Sequence, residues 1–170
     1  DTLLAGAGEI FRIPEGKSFE AAAAFTVTTL TAYEALVVQG HLRPGQRVLI
    51  HGAAGGVGLA AVQIAKLYSA EIIGTASGSK HDELRRHGVH HCIDYRRQDF
   101  EAEVKRLTRR RGVHVILDPV GGQSFQKSYR CLAKTGKLIL YGFSASSTGR
   151  RRSVLTALWK PSKTSELSRD

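Results

Sequence analysis

Apolar positions along the chain fall into short continuous runs separated by longer segments of helical period. The runs Val48-Leu49-Ile50, Ile72 to Thr75, Cys92-Ile93, Val113 to Leu117 and Lys137 to Tyr141 are too short for stable helices. They are rich in β-branched residues and bounded by turn formers, so they read as buried strands. Helices are predicted between them, from about Val57 to Tyr68, Ser79 to His87 with Gly88 closing it, Phe100 to Leu107, and Ser124 to Leu132. Upstream, Ser18 caps a helix carrying Glu20 and an alanine run, a second helical pattern covers Thr29 to Leu36, and Gly40 ends it. The turn Arg43-Pro44-Gly45-Gln46 leads into the first strand. Five strands alternating with helices, apolar at nearly every strand position, predict a parallel sheet covered on both faces, an α/β doubly wound domain.

The segment from Ser144 onward is different, rich in Ser, Thr and Arg. Only Val154 to Trp159 has helical character there, and Pro161 to Asp170 is expected to be poorly ordered. At 170 residues with a 42% hydrophobic share, the chain suits one globular domain. No apolar run is read as approaching the roughly 20 residues of a membrane span. The opening DTLLAGAGEIFRIP lacks the basic start and apolar core of a signal peptide and reads like the middle of a longer protein. Two isolated cysteines, Cys92 and Cys131, suggest a reducing, cytoplasmic setting and cannot build a zinc-ligand cluster. His87, His90 and His91 form the densest histidine group and read as a helix end and a strand start.

A formal charge of +10 favours anionic partners. Ten of the 25 Lys and Arg residues sit in runs at Arg85-Arg86, Arg96-Arg97, Arg109 to Arg111 and Arg150 to Arg152, which suit helix ends and loops. A face for RNA or anionic surfaces is an alternative, disfavoured because no aromatic residues are interleaved with these arginines.

The stretch with chemistry in it follows the first strand: His51-Gly52-Ala53-Ala54-Gly55-Gly56-Val57-Gly58. Read as Ala53-x-Gly55-x-x-Gly58, it is a dinucleotide fingerprint with alanine first. A small first residue permits the tight turn, Gly55 lets backbone approach a pyrophosphate, and Gly58 allows close helix–strand contact. Alone the motif is weak, but here it lies between a strand and a helix at the first crossover. An NAD site places an acid near the end of the second strand to hold the ribose 2′-hydroxyl. Here that strand is followed by Ser77-Gly78-Ser79-Lys80, with no acid before Asp82, which suits a 2′-phosphate and hence NADPH.

Five stretches in order, Leu30 to Tyr33, Ala53 to Gly58, Gly74 to Ser77, Ile93 to Arg96 and Leu117 to Gly122, resemble the quinone oxidoreductase branch of the medium-chain dehydrogenase/reductase superfamily. The run from Gly74 to Lys80 is especially similar to the vesicle amine transport protein 1-like group. The resemblance covers about residues 1 to 155 and implies a Rossmann domain at 17–155. It also implies a remnant of a GroES-like substrate domain at 1–16 and a sixth strand that in the family follows the position where this sequence stops, so that five are expected here, while composition makes 156–170 a poorly ordered tail. It implies that Thr31 contacts the cofactor and that Ala54, Gly55, Gly56 and Val57 form the pyrophosphate loop. Ser77, Lys80 and Tyr95 match positions around the 2′-phosphate, while Val120, Gly121, Tyr141, Gly142 and Phe143 match positions flanking the nicotinamide.

Zinc-dependent members of that superfamily carry a cysteine ligand about six residues before the tyrosine matched by Tyr33. Val27 stands there and cannot ligate, so the resemblance points to the zinc-free branch, which reduces quinones, enones or enoyl thioesters with hydride from the cofactor. A homodimer acting on a small molecule is the corresponding expectation, with the catalytic residues unassigned. An enoyl reductase module of a polyketide or fatty-acid synthase is the alternative. Such modules usually carry an Asn-Ser-Leu type sequence where this chain has Asp118-Pro119-Val120.

Overall fold

The computed structural model describes residues 6, 8, 10 and 12–142. The first helix, α1 (Phe19–Tyr33), is capped by Ser18, whose hydroxyl accepts from the Ala21 N–H at 3.2 Å, and continues directly into a π-helical stretch, Glu34–Gln39. The alternation that follows is β1 (Arg47–Ile50), α2 (Gly56–Leu67), β2 (Glu71–Ala76), α3 (His81–His87), β3 (His91–Asp94), α4 (Phe100–Leu107), β4 (Val113–Asp118), α5 (Gln123–Arg130) and β5 (Leu132–Leu140).

All five strands pair in parallel in the order β3-β2-β1-β4-β5. The doubly wound α/β fold expected from the alternation is therefore present. Each central strand sends alternate residues to opposite faces. Val48, Ile50, Ile72, Val115 and Leu117 join a core with Leu36, Val62 and Leu84 from the helices on one side. Leu49, Ile73, Ile93 and Ile116 join Val104 and Cys131 on the other. Both faces are covered, which explains central strands that are apolar at nearly every position.

Three expectations about boundaries are corrected. The two helical patterns before Gly40 are one continuous helix. The intervening Thr26-Val27-Thr28 is β-branched, but the hydroxyls of Thr26, Thr28 and Thr31 donate to the carbonyls of Ala22, Ala24 and Val27, so their polar groups are satisfied within the helix. The joined stretch, Phe19–Gln39, reaches 21 residues and is by length and composition apolar enough to span a membrane, contrary to the reading of short runs. Its second half is committed to the core through Ala32, Ala35 and Leu36. The helix expected from Ser79 begins as a 3₁₀ turn, Gly78–Lys80, before α3, which Gly88 closes at φ 100°. The helix expected to reach Leu132 stops at Arg130, because Val113 pairs with Leu132 and draws it into β5. Val154 to Trp159, Pro161 to Asp170 and Phe143 lie outside the described residues.

Candidate dinucleotide site

The strand order reverses between β1 and β4, and open α/β sheets hold ligands beyond the carboxyl ends of the strands at such a point. The two loops that leave these strands are adjacent: the His51 N–H donates to the Leu117 carbonyl at 3.0 Å. On the β1 side, Gly52 turns the chain at φ 63°, and the Gly55 N–H closes the turn on the Gly52 carbonyl at 2.9 Å. A Cβ on Gly58 would lie 2.3 Å from the Gly52 oxygen and 2.7 Å from the Ala53 Cα, so only glycine lets α2 pack this tightly on the turn. A Cβ on Gly56 would lie 3.0 Å from Thr28 Cγ2, which places α1 against the same loop. Gly55 is the N-cap of α2, no side chain caps that end, and the first turn carries no acid. Free N–H groups and the positive end of the helix dipole make this an anion cradle.

Beyond β2, Ser77 and Ser79 lie side by side with hydroxyls 3.4 Å apart. Lys80 ends the 3₁₀ turn, its ammonium 3.5 Å from Glu83 and its side chain 55% exposed. Tyr95 is 54% exposed just past β3, with the Arg96 guanidinium 5.8 Å from its ring centroid. The structure adds one acid to this corner that the linear search for an acid after β2 passes over. A Cβ on Gly78 would lie 2.9 Å from Asp94 Oδ2. Asp94 ends β3 and reaches the loop only because β2 and β3 are neighbours, with Ala76 paired to Asp94.

On the β4 side, Asp118 is buried, and its Oδ1 accepts the N–H groups of Val120 at 2.7 Å and Gly121 at 3.1 Å. Gly121 and Gly122 both have positive φ, 67° and 62°, and lead into α5. Thr31 and Tyr141 come together in a cleft of about 480 Å³ lined also by Leu30, Ala35 and Ile139. Burial, with the Asp118 charge adding to it, pushes the Tyr141 hydroxyl up to about 12, so it stays a neutral donor. A second hollow of about 510 Å³ lies over α4 among Asp99, Glu101, Lys105 and Arg106, away from the glycine loop. There Glu101 pairs with Lys105 and Arg130, and Asp99 with Lys127.

A buried polar chain behind the site had no signal in the sequence. His51, 3% exposed, has Nδ1 3.1 Å from Thr75 Oγ1 and Nε2 3.0 Å from Ser128 Oγ. These residues stand 24 and 77 positions away along the chain. The other histidines singled out are occupied otherwise. The His90 Nδ1 accepts from the Ile72 N–H at 3.0 Å, and His91 Nε2 lies 3.2 Å from Glu71. Among the described residues no group of three or more His, Cys, Asp or Glu could hold a metal ion, and Val27 is an exposed residue of α1.

Comparison with known proteins agrees with this geometry. The zinc-binding dehydrogenase family model matches residues 56–164. The synaptic vesicle membrane protein VAT-1 homolog of Danio rerio is 46% identical over 145 residues, which are 85% of this chain and 30% of that protein. This chain thus spans about a third of the length of that relative. Among solved structures, the quinone oxidoreductase of Pseudomonas syringae pv. Tomato DC3000 superposes with a TM-score of 0.75 at 32% identity, covering 87% of this chain and 45% of its own. The nucleotide-binding subdomain of the enoylreductase domain of PpsC from Mycobacterium tuberculosis does so at 0.67 and 41% identity, covering 79% of this chain and 75% of its own. The chain therefore belongs to the zinc-binding dehydrogenase family and, within the medium-chain dehydrogenase/reductase superfamily, to the zinc-independent branch of quinone oxidoreductases and enoyl reductases.

Proposed function

We propose that this chain binds NADPH and is the cofactor-binding part of an oxidoreductase that transfers hydride to a quinone, an enone or an enoyl thioester. The observation that carries the reading is the turn of Gly52 to Gly58, where Gly58 has no room for a Cβ and α2 offers an uncapped N-terminus. Backbone N–H groups around Gly55, Gly56 and Val57 would hold the pyrophosphate, with Ala54 at the lip of the loop. Ser77 and Lys80 would take the 2′-phosphate and Tyr95 would lie against the adenosine, on a rim where β2 ends on Ala76 and the acid beside Gly78, Asp94, comes from the neighbouring strand. Lys80 then shares its charge between Glu83 and the phosphate. Val120, Gly121, Tyr141, Gly142 and Thr31 would flank the nicotinamide, with Phe143 following in sequence.

The cofactor, when bound, supplies the hydride, and this chain's residues orient it and keep water away. Residues 17–155 are the proposed NADP-binding domain and residues 1–16 the end of a substrate domain, in a cytoplasmic, homodimeric parent protein. The likeness to an enoylreductase subdomain at 41% identity supports an enoyl thioester acceptor in a synthase module as a second reading.

The test is calorimetric titration of the chain with NADPH and with NADH. The reading expects NADPH to bind at least tenfold more tightly. Equal binding would reject the 2′-phosphate assignment, and no binding of either would reject the function.

A further inference from the structure

The buried chain behind the site has a direction. At one end stands a fixed donor, the Gly52 N–H, 3.3 Å from Thr75 Oγ1. At the other stands a fixed acceptor, the Asp118 carboxylate, whose Oδ2 receives the hydroxyls of Ser124 at 3.0 Å and Ser128 at 3.2 Å. The Ser128 proton is thus spent on Asp118, so its oxygen accepts from His51 Nε2–H. Nδ1 is then bare and accepts from the Thr75 hydroxyl, which leaves the Thr75 oxygen free to receive Gly52 N–H. Every donor meets an acceptor only if His51 is neutral with its proton on Nε2. An imidazolium would donate at both nitrogens and strand the Thr75 proton. Burial also disfavours the cation, lowering the His51 pKa against the opposing pull of Asp118. The Phe100 ring, edge-on with centroids 4.6 Å apart, closes the ring plane.

The same Asp118 holds the Val120 and Gly121 amides on its other oxygen. One continuous chain of hydrogen bonds therefore runs from the first turn of the glycine loop, through β2 and α5, to the loop after β4. We infer that His51 is a positioning residue, a neutral Nε2–H imidazole that sets the glycine loop and the Val120–Gly121 loop in register, so that both ends of one dinucleotide meet preformed backbone. This inference rests on the proposed cofactor site. His51 touches no ligand in this arrangement and acts through Thr75 and through Ser128.

The test uses the 170-residue chain. Two-dimensional ¹⁵N–¹H NMR of the His51 ring is expected to report the Nε2–H tautomer between pH 6 and 8, whereas an Nδ1–H tautomer or a charged ring at pH 7 overturns the inference. Ser128→Ala, three hydrogen bonds from Gly52, is expected to speed amide exchange at Gly52 and at Gly121 together. His51→Leu is expected to weaken NADPH at least tenfold, and His51→Gln, which keeps one donor and one acceptor, to restore it to within about threefold. Should His51→Leu fail to fold, Ser128→Ala carries the binding comparison. NADPH binding by the wild type together with unchanged affinity in these variants overturns the positioning role. Absence of binding by the wild type removes the cofactor reading itself, and the role built on it.

Discussion

Gly58 is pressed so closely against Gly52 that a Cβ on it would stand 2.3 Å from the Gly52 carbonyl oxygen. The contact is backbone on backbone, so no side chain can turn aside to relieve it. Gly58→Ala must push α2 off β1, and a loss on the order of 3 kcal/mol is expected from overpacking of this kind. Gly55→Ala is the informative contrast. Its φ of −83° suits any residue and its Cβ would meet only the Gly52 oxygen at 3.3 Å. Urea midpoints should therefore fall sharply for Gly58→Ala and little for Gly55→Ala, while both lose NADPH affinity. A Gly58→Ala protein as stable as wild type would contradict the packing described.

Lys80 is the cation of the loop after β2, and its partner Glu83 holds it on the same helical turn at 3.5 Å. Removing it by Lys80→Ala should cost NADPH about tenfold or more in affinity, the size of one charge-assisted contact, and leave NADH within twofold. Asp94→Asn, which neutralises the carboxylate against Gly78, should shift preference further toward NADPH. An NADH affinity that falls in parallel with NADPH in Lys80→Ala would mean that the lysine does not read the 2′ position.

Asp118 accepts four donors from inside the fold, the amides of Val120 and Gly121 and the hydroxyls of Ser124 and Ser128. Asp118→Ala leaves them facing a small apolar void, and unsatisfied buried donors cost about 1–3 kcal/mol each. A loss of at least about 3 kcal/mol in chemical denaturation is expected, with faster amide exchange at Val120 and Gly121 in whatever remains folded.

Two pH limbs follow from the shifted groups. Glu101 is drawn from an ordinary 4.5 to about 2 by its hydrogen bonds to Arg130 and Lys105. Its contribution is present above pH 4.5 and drains away as pH falls from there toward 2, because the unfolded chain takes up the proton first. His51 is lowered from 6.5, first by burial, so the unfolded state again binds more protons and stability begins to fall as pH drops through 6.5. Thermal midpoints measured from pH 8 to 3 should show both declines. Glu101→Gln should flatten only the lower one, and His51→Gln only the upper.

The alternation of short apolar runs with helical segments determined the doubly wound class, because a strand buried on both faces has no polar side to show. It also located the glycine loop, since the requirement for small residues at a strand-to-helix turn is local in the chain. Boundaries were less legible. Thr26, Val27 and Thr28 interrupt the helical pattern in the sequence, yet α1 runs through them, with the threonine hydroxyls bonded to carbonyls of the preceding turn. Leu132 looks like a helix residue until Val113 pairs with it. What tertiary structure alone decided lies across elements: the pairing that brings Asp94 to Gly78, and the meeting of His51, Thr75, Ser128 and Asp118 from the turn after β1, from β2, from α5 and from β4. Strand order sets those distances, and a linear pattern carries no record of which strands lie side by side.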